Sequence, residues 1–203
     1  MIKFNNTEVS GWKAAIRGMR NPLNSWSKSD STFDEYGGVT IGENDLRLMK
    51  NLVKSGSDHA KFMRYLVVDV DITGPEYWWM QMDQYKVGTV TNSTSKMHKI
   101  QAKEFTPDDF STDHMTADSY ELLLETIKLL NKHREAFNET GSKEEWWQMI
   151  QPLPMAFNQT RTVHLNYAVL KNIYHARKNH KLTEWSSFCD WVETLPYKEL
   201  ITE

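Results

Sequence analysis

Between Tyr85 and His98 the chain sets a phenol and a lysine beside a run of small hydroxylic residues. Tyr85-Lys86 is followed by Gly88-Thr-Val-Thr-Asn-Ser-Thr-Ser95, then Lys96 and His98. Thr89, Asn92, Ser93 and Ser95 supply hydroxyls and an amide, an open loop supplies backbone N–H groups, and lysine supplies charge. Together these are the means to surround phosphate oxygens. Loops rich in Ser and Thr are common, so this segment alone is weak. A second constellation consists of Gln159, Arg161, Asn166, Arg177 and His180. On a helix read over Thr162–Lys178, Asn166, Leu170, Ile173 and Arg177 share one face. A polar residue at each end of an apolar stripe suggests the rim of a pocket.

Other chemistries find little support. The histidines lack the paired spacing of a metalloprotease helix and there are no cysteine pairs, so no metal is expected. Neither a Walker loop, a Rossmann glycine fingerprint nor a G-x-S-x-G elbow is present. Cys189 falls on the apolar side of its helix and reads as packing. Trp78-Trp79 could stack a flavin or a base, yet helical aromatic stripes more often form core. The acidic run at Asp108, Asp109 and Asp113 reads as a solvated loop.

The elements that must position these residues follow from periodicity. Residues 2–9 and 65–73 read as strands; in the second, Val68, Val70 and Ile72 alternate with Asp69 and Asp71. A helix capped by Ser10 runs to Arg20, where Asn21-Pro22 ends it. A loop spans 21–43, and Asn44 caps a helix that stops at Gly56. Pro75 opens an aromatic helix that is expected to be deeply buried. The hydroxylic stretch 88–95 reads as an irregular loop. A long helix over Asp118–Asn138 turns Leu122, Leu123, Ile127, Leu130 and Phe137 inward. Ser142 and Glu145 form a capping-box pattern, and Thr183 caps the last helix, whose stripe is Trp185, Phe188, Cys189 and Val192. The fold class is α+β: a small antiparallel or mixed sheet packed against several long helices, with 1–203 as a single domain.

The chain of 203 residues has 8 Trp, 8 Tyr and 8 Phe to fill a core despite a mean hydropathy of -0.63. A net charge of -3 argues against an extended nucleic-acid partner. One cysteine excludes an intrachain disulfide and is consistent with a reducing compartment. No apolar run has the length of a signal core or a membrane span, so a cytoplasmic protein with no membrane contact is expected.

With both constellations placed, the chain resembles the flavin-dependent thymidylate synthases, the ThyX family. That family carries Arg-His-Arg-x-x-Ser-x-Asn-Glu-x-Ser-x-Arg-Tyr after a strand and a Pro-initiated helix. Here strand 65–73, Gly74-Pro75 and an aromatic helix precede Tyr85-Lys86-Val-Gly-Thr89 and Asn92-Ser93-Thr-Ser95-Lys-Met-His98. The resemblance places Tyr85 on the motif histidine, Lys86 on the second arginine and Thr89 on the serine. With a one-residue insertion, Asn92 and Ser95 fall on the asparagine and the second serine. Leu153-Pro154, Asn166, Leu170, Arg177, His180 and Glu184-Trp185 follow the family's order, and Arg20 falls on an N-terminal arginine. The resemblance implies FAD near Tyr85, Lys86, Thr89 and His180. It implies a nucleotide near Arg20, Asn92, Ser93, Ser95, His98, Gln159, Arg161, Asn166 and Arg177. It further implies a folate as one-carbon donor and a homotetramer.

The departures are concentrated in charge. Family arginines fall on Gln84, Met97, Ala168 and Ile150, and the motif glutamate falls on Ser93. Each lost charge-assisted contact is worth about 1.5–3 kcal/mol. The expectation is therefore a ThyX-like protein with a remodelled site that binds a nucleotide-type small molecule, with FAD and folate carried only by the resemblance. Two alternatives stand beside it: a non-catalytic module that senses or sequesters a nucleotide, and a structural oligomeric platform.

Overall fold

A computed structural model describes residues 2–203. Four strands, β1 (Lys3–Ser10), β4 (Val67–Pro75), β6 (Asn158–Asn166) and β5 (Val90–Ser93), form a small sheet in the order β1-β4-β6-β5. The protein is mixed α+β, with this small antiparallel sheet and several helices. By compactness the chain divides in two, and all four of these strands supply residues to both units.

One unit comprises Ile72–Gln84 and Asn92–Arg161 with the start of the chain. It holds α3 (Glu76–Met82), α4 (Lys96–Lys99), the long α5 (Ala117–Thr140) and α6 (Lys143–Ile150). Thr116 caps α5 and Gly141, at φ 67°, ends it. Leu123, Ile127 and Leu130 recur at helical spacing and are buried with Phe105, Phe110 and Met149. Leu122, expected inside, is 69% exposed, because a single stripe faces the core and Leu122 lies one step beside it. Ser142 is at the cap of α6 but makes no side-chain cap bond; Glu145 pairs with His133 instead. In α3, Trp78 and Trp79 are fully buried while Met80 is 58% exposed, so the helix has one wet side.

The second unit comprises Phe4–Asp71, Tyr85–Thr91 and Thr162–Glu203. It contains α1 (Trp12–Arg20), a hairpin of β2 (Thr32–Phe33) and β3 (Val39–Thr40), and α2 (Glu43–Lys54). It is completed by α7 (Tyr167–Arg177), α8 (Thr183–Val192) and α9 (Glu199–Thr202). Trp12, Met49, Leu66, Tyr167, Leu170, Trp185 and Phe188 are among its buried residues. Gly11, not Ser10, precedes α1, in the left-handed region at φ 89°. A Cβ there would lie 1.8 Å from the Tyr65 carbonyl oxygen, so only glycine fits. Gly42, not Asn44, sits at the cap of α2. Asp30 performs the capping from a distance, accepting the Asn44 and Asp45 N–H groups at 2.9 and 3.1 Å. Likewise Leu182, not Thr183, occupies the cap of α8.

Two corrections bear on function. Thr162–Asn166 is strand, not helix. Val163 and Leu165 are buried while Thr162 and His164 are exposed, a period of two rich in β-branched residues. The hydroxylic segment is likewise not all loop: Val90–Ser93 is the terminal strand of the sheet, exposed throughout. Thr and Val suit an edge strand as well as they suit a loop.

Candidate functional site

Apart from Arg20, the expected site residues fall into two groups, one in each unit. In the second unit, Tyr85–Thr89 forms a turn beside α7. The Thr89 hydroxyl donates to the Tyr85 carbonyl and closes the turn. Its only hydroxyl hydrogen is thereby engaged, which leaves Thr89 an acceptor and a poor partner for an anion. Gly88 adopts φ +74°, and a Cβ there would meet Val169 Cγ2 at 3.1 Å and Asn166 Nδ2 at 3.2 Å. The turn therefore lies directly against the first turn of α7. Asn166 caps that helix, its Oδ1 accepting the Val169 N–H at 3.1 Å. With Oδ1 so held, its amide N–H group faces Gly88. Lys86 beside it is exposed.

At the other end of α7, Arg177 donates from Nε to the Tyr85 hydroxyl at 2.8 Å. Its guanidinium carbon lies 4.8 Å from the centre of the Trp185 ring and 5.5 Å from that of Tyr85. Such cation–π contacts hold the side chain in place, and a cation in the last helical turn also suits the helix dipole. His180 Nδ1 accepts the Leu182 N–H at 3.1 Å, and its ring neighbours Trp185. Arg177, Tyr85 and Trp185 are thus one packed column that fixes where the turn begins.

The first unit collects the remaining expected residues. Gln159 is 5% exposed; its amide donates to the Thr94 carbonyl at 2.7 Å and its Oε1 accepts from Arg161 Nε at 2.9 Å. Arg161 also pairs with Asp83 at 2.8 Å and lies 4.2 Å above the Trp79 ring. Trp79 in turn donates to the Gln159 carbonyl at 3.0 Å. Ser95 caps α4, accepting the His98 N–H at 3.1 Å, and Lys96 pairs with Glu76 at 2.7 Å. His98, Asn92 and Ser93 are exposed. A cavity of 170 Å³ opens beside Ser95, Lys96, Lys99, Lys103 and Asn158.

Arg20 stands apart. It is 4% exposed, and its Nε donates to Asp45 at 2.6 Å while its other nitrogens reach the Ser25 and Lys28 carbonyls at 3.1 Å. Asp45 also accepts from the Ser29 and Ser31 hydroxyls. Burial pushes the Asp45 carboxyl up, but hydrogen bonds from Ser31, Ser29 and Arg20 outweigh it and hold it below its ordinary value. The pair organises segment 21–31. Sequence reading missed Asp45 because nothing local marks a partner 25 residues away. It also missed the Trp185 platform under Arg177, although a shared aromatic stripe was visible. Among the described residues no group of three or more His, Cys, Asp or Glu could hold a metal ion. Among the described residues no helix is long and apolar enough to cross a membrane. Cys189 is buried in α8, and burial pushes its thiol up to about 11.

The Gly88 geometry leads to an expected result. Alanine in the left-handed region costs about 1–2 kcal/mol, and its methyl would press on Asn166 and Val169. Gly88→Ala should therefore displace the turn with only a small fall in melting temperature, read by amide NMR shifts localised to 85–91 and the start of α7. Unchanged shifts there would contradict the close packing.

No protein-family model matches the sequence, and no curated protein sequence matches it. Solved structures do match. Thymidylate synthase X (ThyX) from Helicobacter pylori, with FAD and dUMP, superposes with a TM-score of 0.69 at 14% identity, covering 99% of this chain and 95% of that one. The UMP/dUMP methylase PolB from Streptomyces cacaoi, bound with 5-Br UMP, gives 0.63 at 11% identity, covering 100% and 93%. The same methylase with 5-Br dUMP gives 0.60 at 10%, covering 96% and 88%. From end to end, then, the chain has the fold of the flavin-dependent thymidylate synthases.

Proposed function

We propose that this is a ThyX-like nucleotide-binding protein with a remodelled site, and that 1–203 acts as one domain. The observation that carries the reading is the Lys86–Thr89 turn, laid by Gly88 against Asn166 at the start of α7. An exposed ammonium, the Asn166 amide N–H and the positive end of the α7 dipole suit a phosphate, although the Tyr167 N–H is given to Leu66 and the Val169 N–H to Asn166. The fold neighbours bound with dUMP and with 5-Br UMP make a uridine-type monophosphate the first candidate.

The donor set suits FAD less well. Trp79 lies beneath Arg161 and Trp185 beneath Arg177, both rings fully buried, so neither offers a face to an isoalloxazine. At two positions where the resemblance leads one to expect arginine, Gln84 and Met97 are exposed and uncharged. No step is therefore drawn through a flavin or a folate. The engagement of Arg161 with Asp83, and of Arg177 with Tyr85, favours binding without catalysis as the second reading. Both arginines serve packing, as a sensor or sequestering module would tolerate. The proposal includes the homotetramer, whose mass light scattering would read.

Extraction of the purified chain, followed by mass spectrometry and a visible absorption spectrum, tests the reading. A co-purifying nucleotide without flavin absorbance is the expected result. Stoichiometric flavin would instead favour the catalytic form. If no ligand is found, and neither nucleotides nor FAD raise the melting temperature, only the structural platform is left.

A further inference from the structure

A second cavity, of about 500 Å³, lies in the other part of the second unit, between α1 and segment 21–33. Its volume falls in the range of small-molecule sites. Lys13, Ile16 and Arg17 line it from α1, and Trp26 and Phe33 line it from the segment. Lys13 and Arg17 are exposed, and four residues apart they lie on one face of the helix, where like charges repel. Arg17 in the last turn is favoured by the helix dipole, but Lys13 in the first turn is opposed by it. No acidic residue lines the cavity. Arg20, the third cation of α1, is neutralised by Asp45, whereas no ion pair joins Lys13 or Arg17 among the described residues.

The opposite wall is aromatic and wet. Trp26 is 49% exposed and Phe33 39%, so ring surface stays open to the cavity. The indole does not swing freely: Nε1 donates to Asn21 Oδ1 at 2.9 Å. The buried Arg20 fixes the same segment through the Ser25 and Lys28 carbonyls. A held indole opposite two unneutralised cations suits a flat ring that carries an anion. The ring would stack on Trp26 and the anion would lie by Lys13 and Arg17.

We propose that the groove between α1 and segment 21–33, with Trp26 and Phe33 facing Lys13 and Arg17, binds an aromatic anion of mononucleotide size. This site shares none of those four residues with the turn at Lys86, and the proposal does not depend on the reading given for that turn.

Isothermal titration of the full chain with UMP and AMP tests it, with ribose 5-phosphate as the ring-free control. The experiment is run in the Lys86→Ala background, which weakens the first site, and the groove variants assign the binding that remains to one site or the other. The expected result is saturable binding of at least one nucleotide, weakened at least about tenfold by Trp26→Ala and by Lys13→Ser with Arg17→Ser. Ribose 5-phosphate should bind correspondingly more weakly. Both variants alter exposed side chains, and an unchanged melting temperature verifies that they fold. Absence of nucleotide binding in the Lys86→Ala background overturns the proposal, as does binding indifferent to both variants. Equal binding of ribose 5-phosphate would reduce the groove to a general anion patch and overturn it too.

Discussion

Asp45→Ala should lower unfolding free energy by about 3–5 kcal/mol, because it leaves the Arg20 guanidinium buried without its counter-charge. Arg20 and Asp45 are 4% and 0% exposed, so water cannot replace the lost partner without local opening. The Ser29 and Ser31 hydroxyls lose their acceptor at the same time. Urea denaturation followed by circular dichroism reads the change as a lower midpoint. The same pair sets a pH dependence. The folded Asp45 carboxyl lies below its ordinary value, so its contribution is complete above the unfolded value of about 4 and is lost as pH falls through the folded one. Acid should therefore narrow the gap between parent and Asp45→Ala. A gap that is constant from neutral pH down to about 3 would contradict the ion pair.

Trp185→Ala should cost about 3–5 kcal/mol as well, and should act on the site without touching any ligand. Trp185 is fully buried, packs edge-on against Phe188 and lies under both Arg177 and Tyr85. Its removal opens a cavity and takes away the surface on which Arg177 rests. The Arg177–Tyr85 hydrogen bond should then loosen, and the turn that begins at Tyr85 should gain freedom. Hydrogen exchange would read this as faster exchange over 85–91, beyond the general loss of protection. A Trp185→Phe variant retains part of the platform and should recover much of both effects. If Trp185→Ala destabilises the protein but leaves exchange at 85–91 unchanged relative to other loops, Trp185 is core and nothing more.

Much of the helical content was legible because its signals are local. The buried series Leu123, Ile127 and Leu130 fixes α5, and the stripe Trp185, Phe188 and Val192 fixes α8. The resemblance to ThyX was legible for a different reason: the order of Gly74-Pro75, Tyr85–His98, Leu153-Pro154 and Asn166 survives where identity does not. Strand β6 was misread because Asn166, Leu170, Ile173 and Arg177 fit a helical period that extends back into it, and only the alternation of Val163 and Leu165 with Thr162 and His164 separates the two. Segment 90–93 was misread because the pairing that makes an edge strand is not local. The true partner of Arg20 was hidden for the same reason. Its charge invited a ligand reading, but burial gave it Asp45. Asn166 stands elsewhere than expected: it is the cap of α7, not a residue within a helix.

The central claim is that Lys86, exposed on the turn that Gly88 lays against Asn166, contributes charge to a nucleotide phosphate. It is tested most directly by titrating dUMP and UMP into the parent chain and into Lys86→Ala, each carrying Trp26→Ala so that the groove beside α1 contributes little, with affinity and melting temperature measured on each. Loss of one charge-assisted contact should weaken binding by about tenfold or more, and the variant's melting temperature without ligand should match the parent's. Equal affinity of the two proteins for the nucleotide would contradict the account.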